Sequence, residues 1–347
     1  MPAEPDAVPH PREREILIGQ GGAERAIAEA AEAGRLHHAW LVGGSAGIGK
    51  ATLAYRVARY LLSPPAERLA PGRDLSTMPG SRTSRLIAAG SHPNVVTIDL
   101  AAAAADSDRA SGRTITVKTA RRALAFFGST AADGGHRVCI VDAADDLNAA
   151  AANALLKTVE EPPPRSTILV VTHAPHAVLP TIRSRCRKLA LAPLGSGEVA
   201  EVLETLGPAV AGEGRTALER AAARAEGSIR RALALLDPGR TALLDETASL
   251  LASLPDPPLP RVLALAEKVA DRKRDGDFEL LLDAVQLWVA DRVRATSAAP
   301  AARLAPLAEL CENVADEARS VETYNLDRRP FVLSLFGDLA RAVRLAG

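Results

Sequence analysis

The sequence predicts an α/β fold: a parallel sheet with helices on both faces, then a short helical segment and an all-helical C-terminal region. Three observations predict it. Short apolar runs alternate with Ala- and Leu-rich stretches of helical spacing through the first half of the chain, the signature of successive βα units. Those runs are continuously apolar, as strands covered on both faces are. After Pro193 the strand-like runs stop and apolar residues recur only at helical spacing. The 347 residues accordingly divide into 1–192, 193–238 and 239–347.

Strands are expected at Trp40–Val42, Val95–Leu100, Val138–Val141, Thr167–Val171 and Lys188–Leu191. Ala51–Leu62 and Thr116–Phe127 read as helices between them. Ala101–Ala105 is apolar but short, and reads as a loop or a frayed helix. Ser63–Asn94 contains Pro64, Pro65, Pro71, Pro79 and Pro93 and is rich in Ser and Arg, so it reads as a long irregular insertion, mobile in part. Gly195–Leu206 and Arg215–Leu236 read as amphipathic helices. Asp237-Pro238-Gly239 reads as a turn at a domain boundary. Beyond it glycine is found only at 276, 337 and 347. A Pro-rich stretch, Leu254–Pro260, separates two helices, and Glu322–Pro330 breaks the pattern before a last helix, Phe331–Leu345.

Composition excludes several functions. With 47% hydrophobic and 24% charged residues the chain is not disordered. Lys+Arg and Asp+Glu are equal at 42 each, so net charge offers no attraction to nucleic acid or to an anionic membrane. No run approaches the roughly 18 apolar residues of a membrane span. Cys139, Cys186 and Cys311 are far apart and form no CxxC pair, which argues against a disulfide framework or a Cys-rich zinc module and suits a reducing cytoplasm. The opening MPAEPDAVPHPRERE is polar and Pro-rich, unlike a signal peptide.

The sharpest local signal is Gly43-Gly44-Ser-Ala-Gly47-Ile-Gly49-Lys50-Ala51-Thr52. It follows an expected strand and opens an expected helix, the context of a phosphate-binding loop. Glycines 44, 47 and 49 let backbone N–H groups turn toward an anion, and Lys50 would reach the outer phosphates. The next position should carry a hydroxyl for Mg²⁺, but it is Ala51. Thr52 lies about 100° further round the helix and does not replace it. A second element, His136–Asp146, is an apolar strand ending in Asp142, a Walker B pattern. The position that would carry the water-orienting carboxylate is Ala143. Asp145 and Asp146 fall after the strand, and Asp146 reads as the N-cap of the next helix. The two alanines argue against hydrolysis by this chain, while the cradle stays compatible with weak ATP or ADP binding.

Further motifs follow in order: Asn153-Ala-Leu-Leu-Lys157-Thr-Val-Glu160-Glu161-Pro162-Pro163, then Ser184-Arg185-Cys186, then Gly227-Ser228-Ile-Arg230-Arg. With the phosphate loop and the Asp142 strand before them, they resemble the central box, the Ser-Arg-Cys motif and the sensor 2 helix of the AAA+ clamp-loader subunits of bacterial DNA polymerase III. The resemblance runs from about Leu17 to Leu236. It implies a RecA-like AAA+ domain over 1–192, a helical lid over 193–238 and a helical collar over 239–347. It also implies a heteropentamer with delta and tau/gamma subunits that places a sliding clamp on primer–template DNA. The motor subunits of the family carry a hydroxyl after the loop Lys, an acid after the strand Asp, and a four-Cys zinc module. This chain has none of the three, and no zinc is expected, because 63–94 contains no Cys. The pattern therefore sides with a non-hydrolysing stator. The alternative is a catalytically active ATPase of the tau/gamma type, against which Ala51 and Ala143 count.

The resemblance also assigns roles. Arg185 would be an arginine finger acting in trans on a neighbour's ATP; without the family match, a solvated basic face with Arg183, Arg187 and Lys188 would be favoured. Thr172 and His173 sit where sensor 1 polar groups lie. Arg230 would be the sensor 2 arginine. The nucleotide-facing set is thus Gly44, Gly47, Gly49, Lys50, Thr52, Asp142, Thr172 and Arg230. His173 and His176 are three apart but lack an acidic or Cys partner nearby, so no metal is assigned to them. His37 and His38 read as packing or surface residues, and Trp288 and Tyr324 as core or interface anchors. A free-standing DNA-binding protein is disfavoured by zero net charge and few aromatics.

Overall fold

The computed structural model describes residues 8–106, 114–128, 135–271, 274, 276–295, 310, 313–314, 317–318, 320–322 and 326–346. They form two compact units, Met1–Leu233 and Ala234–Gly347. Cys311 and Tyr324 lie outside the described residues.

The first unit is built on five strands, β1 (Ala39–Gly43), β2 (Val95–Asp99), β3 (Arg137–Asp142), β4 (Ser166–Thr172) and β5 (Arg187–Ala190). Every pairing is parallel and the order is β2-β3-β4-β1-β5. β1 and β4 are buried throughout, which accounts for their unbroken apolar sequences. Alternate residues nevertheless serve opposite faces. Trp40 and Val42 pack with Val138, Ile140, Leu169 and Val171 under helices α1 (Gly21–Glu32) and α2 (Lys50–Leu62). Ala39 and Leu41 pack with Cys139, Val141, Ile168 and Val170. Those residues lie under α5 (Val117–Gly128), α6 (Ala149–Glu160) and the short α7 (Pro180–Arg183). β5 is an edge strand, and its exposed Arg187 lies 4.9 Å from the Trp40 ring centroid.

Two local expectations change, and a third, left open between loop and helix, is resolved. The insertion 63–94 carries a helix, α3 (Arg82–Ala88), whose N-cap Ser81 accepts a hydrogen bond from Ser84 N–H. Leu75 and Ile87 from this segment are buried in the α1–α2 core. Two apolar anchors that far apart give no periodic signal, so prolines dominate the sequence pattern. Ala101–Ala105 lies within a helix, α4 (Leu100–Asp106), started by Asp99, whose Oδ1 accepts from Ala102 N–H at 2.6 Å. Arg215–Leu236 is interrupted: α10 (Arg215–Arg224) stops before Glu226 and Gly227, both left-handed at φ 51° and 79°. A Cβ at Gly227 would lie 2.5 Å from the backbone nitrogen of Leu194, so chain turn and close approach both require glycine there. α8 (Ser196–Glu204), a short α9 (Pro208–Ala211) and α10 complete the helical segment, and α11 (Ile229–Ala234) crosses the boundary between the units.

The second unit is helical. Asp237-Pro238-Gly239 starts a helix: Asp237 Oδ1 accepts from Gly239 N–H at 2.7 Å and Pro238 takes the first helical position of α12 (Pro238–Ala252). α13 (Leu259–Ala270), α14 (Asp277–Ala295) and a last helix, Arg328–Ala346, enclose a core including Leu250, Leu265, Phe278, Leu281, Phe336 and Leu339. The last helix begins at Arg328, ahead of Pro330, which is tolerated in its first turn because the N–H it lacks would have had no partner in the helix. Arg328 lies 4.9 Å from the Phe278 ring centroid and pairs with Glu322 at 2.8 Å. Trp288 packs against this core and lies under Arg292.

Candidate functional site

In a parallel sheet, ligands bind beyond the carboxyl ends of the strands, and here the phosphate loop leaves the carboxyl end of β1. Gly44, Gly47 and Gly49 all have positive φ. A Cβ at Gly47 would meet Arg230 N at 2.8 Å and Ser228 Oγ at 2.5 Å, so glycine is needed there for packing as well as for conformation. The loop is pinned from several sides. Ile229 N–H donates to Gly47 O and the Ser228 hydroxyl to Ala46 O, both at 2.8 Å. Gln20 Nε2 donates to Ile48 O at 3.2 Å and to Ala192 O at 2.9 Å. Lys50 is buried, and its ammonium donates to the loop's own carbonyls, Gly44 O at 2.7 Å and Ser45 O at 2.5 Å. Thr52, two residues on, is buried in α2.

Asp142 closes β3 opposite Asp99 of β2. Burial raises its carboxyl to about 6, reinforced by Asp99 and opposed by Lys50. Thr172, fully buried at the end of β4, donates its hydroxyl to Asp145 Oδ1 at 3.1 Å. Asp145 also accepts from His173 N–H at 2.8 Å and Ala174 N–H at 3.1 Å. Asp145 thus ties the end of β4 to the turn after β3. No sequence pattern marks this role, because it depends on two strands lying side by side. Desolvation, then the nearby Lys50 cation, lowers the pKa of His173, and Arg230 adds to the effect. Asp146 is not the N-cap of α6. A 3-10 turn, Ala144–Asp146, intervenes, and Asn148 takes the cap, accepting from Ala151 N–H at 2.8 Å. Asp146 instead accepts from Ala143 N–H.

Gly44, Gly47, Gly49, Lys50, Asp142, Thr172 and Arg230 thus gather around the carboxyl ends of β1, β3 and β4. Arg185 does not join them. It sits between α7 and β5, and the register pairs Arg187 with Trp40 near the amino end of β1. At about 3.3 Å per residue, the length of β1 separates Arg185 from the phosphate loop of its own chain by roughly 15 Å. Its flanks are anchored, since Ile182 and Cys186 are both buried in the α6 core. The side chain is half-exposed, with Nη1 donating to Thr181 O at 3.0 Å and Nη2 paired with Glu160 at 2.9 Å.

Elsewhere, the His37 and His38 rings stack at 4.3 Å, and His38 Nε2 lies 3.1 Å from Val159 O. Among the described residues no group of three or more His, Cys, Asp or Glu could hold a metal ion, and no helix is long and apolar enough to cross a membrane.

A parallel five-stranded sheet with a phosphate loop after β1 and an acidic end on β3, followed by helical segments, defines a P-loop protein of the AAA+ type. More narrowly, residues 19–195 match the family described as DNA polymerase III, delta subunit, and the chain belongs to that family. It is 36% identical to the DNA polymerase III subunit delta' of Pseudomonas aeruginosa, over 55% of this chain and 53% of that one. Identity to the subunit delta' of Escherichia coli K12 is also 36%, over 47% and 44% of the two chains. The subunit tau of Escherichia coli K12 is 32% identical over 64% of this chain and 32% of its own. The chain spans about half the length of the delta' relatives it matches.

Proposed function

We propose that this chain is a delta-prime-type stator of a DNA polymerase III clamp loader. In this reading it hydrolyses little or no ATP itself, assembles with tau/gamma and delta in the cytoplasm, and helps place a sliding clamp on primer–template DNA. Arg185 enters a neighbouring subunit's ATP site and bridges γ-phosphate oxygens as charge develops on them, an effect worth about 10³–10⁵ in rate in other phosphoryl-transfer systems. The observation that carries the reading is the place of Arg185: half-exposed, at the amino edge of the sheet, far from its own chain's phosphate loop. Ala51 and Ala143 support the other half of the reading, since they remove the metal-binding hydroxyl and the water-orienting carboxylate. Weak ATP or ADP binding would be incidental, and neither zinc nor another metal is required.

The test is steady-state ATPase of the assembly reconstituted with tau/gamma, delta, clamp and primed DNA. Arg185→Ala is expected to lower the rate strongly with the assembly intact, whereas Lys50→Ala leaves it nearly unchanged. Equal sensitivity at the two positions would favour the active tau/gamma-type reading instead, as would ATP turnover by the isolated chain.

A further inference from the structure

Glu160 occupies the last residue of α6, where its carboxylate opposes the helix dipole: carbonyl groups already make that end negative, and cations rather than anions are favoured there. The placement is unfavourable for the helix alone. Its compensation is Arg185, whose Nη2 lies 2.9 Å from Glu160 Oε1. The same guanidinium is held on its other arm by Thr181 O at 3.0 Å, with Ser184 Oγ at 3.5 Å. Two arms fixed on different elements set both the position and the plane of the guanidinium. Nε makes no hydrogen bond to the described residues, so part of the donor fork stays available to an incoming anion. The backbone on either side is fixed as well, because Ile182 and Cys186 share the α6 core with Leu155 and Val159.

We propose that Glu160 is a positioning residue for Arg185, holding the guanidinium in the orientation in which it meets the neighbour's ATP. This rests on the reading of Arg185 as a finger in trans. As a stability element a half-exposed ion pair contributes little; its value here is geometric. A flexible arginine would have to be ordered at the moment of reaction, and one held on two arms is ordered beforehand. Glu160 touches neither nucleotide nor phosphate in this scheme and acts only through Arg185.

The experiment uses the reconstituted assembly with clamp, primed DNA and ATP, and compares Glu160→Gln, Glu160→Lys, Arg185→Ala and the double variants. Glu160→Lys places a cation beside Arg185 and is expected to lower kcat about tenfold with the KM for ATP unchanged. Glu160→Gln, which keeps side-chain length and an acceptor oxygen, should recover much of the rate. In the Arg185→Ala background neither Glu160 variant should lower the rate further, because the group they position is gone. A wild-type rate for Glu160→Lys overturns the inference, as does a fractional loss that persists in the Arg185→Ala background. If Arg185→Ala itself leaves the rate unchanged, the finger reading falls first. If Arg185→Ala is slow while Glu160→Lys is not, only the positioning role falls.

Discussion

Asp142 faces Asp99 across two parallel strands, and burial holds its carboxyl at about 6 against an ordinary value near 3.8. A carboxyl raised in the folded state favours folding while protonated. Its contribution is present below pH 4 and is lost as pH rises through about 6. Asp142→Asn removes that dependence. The stability of the variant relative to wild type should therefore increase between pH 4 and pH 7, by at most about 3 kcal/mol, in denaturant unfolding at both pH values; a flat difference would refute the assignment. The residues of this region differ in how legible they were in the sequence. Gly44, Gly47, Gly49 and Lys50 announce themselves, because positive φ and a lysine at a helix start leave few substitutes. Asp142 follows from the apolar strand it ends. Asp145 does not: its three hydrogen bonds come from Thr172 at the end of β4 and from the two residues that follow it, and only strand pairing brings them within reach. The Glu160–Arg185 pair is hidden for the same reason, joining two motifs that the sequence separates.

Among the elements, α2 links the phosphate loop to the core, and buried cations fix its orientation. Arg56 donates to Glu24 of α1 at 2.6 Å and to Glu15 O, with both charged side chains nearly inaccessible. Arg59 donates to Ser84 Oγ at 3.1 Å and to Arg14 O at 3.0 Å. Burial, with Asp74 adding to it, holds the Glu24 carboxyl above its ordinary value despite the charge and hydrogen bond of Arg56, a sign that desolvation of the pair is only partly repaid. Removing one partner strands the other charge, so Glu24→Ala is expected to cost about 3–5 kcal/mol. Equilibrium denaturation measures this, and a loss below about 1 kcal/mol would place the pair in solvent. The five strands and α2 were legible because each is a continuous apolar run or an amphipathic stripe. α3 was not, since its stability comes from Ser81 and from two anchors, Leu75 and Ile87, twelve residues apart. The break after α10 was hidden for a different reason: one glycine within an alanine-rich stretch reads as helix until Leu194 is seen against it.

At the scale of the whole molecule, each unit carries its own core. The first has a two-sided core about the parallel sheet, and the second clusters its apolar side chains around Phe278 and Phe336. The unit boundary falls inside α11, while the next helix has a complete start of its own at Asp237 and Pro238. A chain cut after Leu236 keeps α11 whole and leaves that start with the second unit. Residues 1–236 are therefore expected to fold alone, since a domain with its own core can do so. The fragment would retain the phosphate loop, its contacts with Ser228 and Ile229, and the Glu160–Arg185 pair. Near-ultraviolet circular dichroism and denaturant titration of the fragment should show one cooperative transition with native-like tertiary signal. A broad transition with strong binding of a hydrophobic dye would mean that the sheet domain depends on residues 237–347 for its packing. Under the proposed stator reading, a folded fragment that no longer binds tau/gamma and delta would assign assembly to the second unit, with Arg185 and Glu160 both retained in the first.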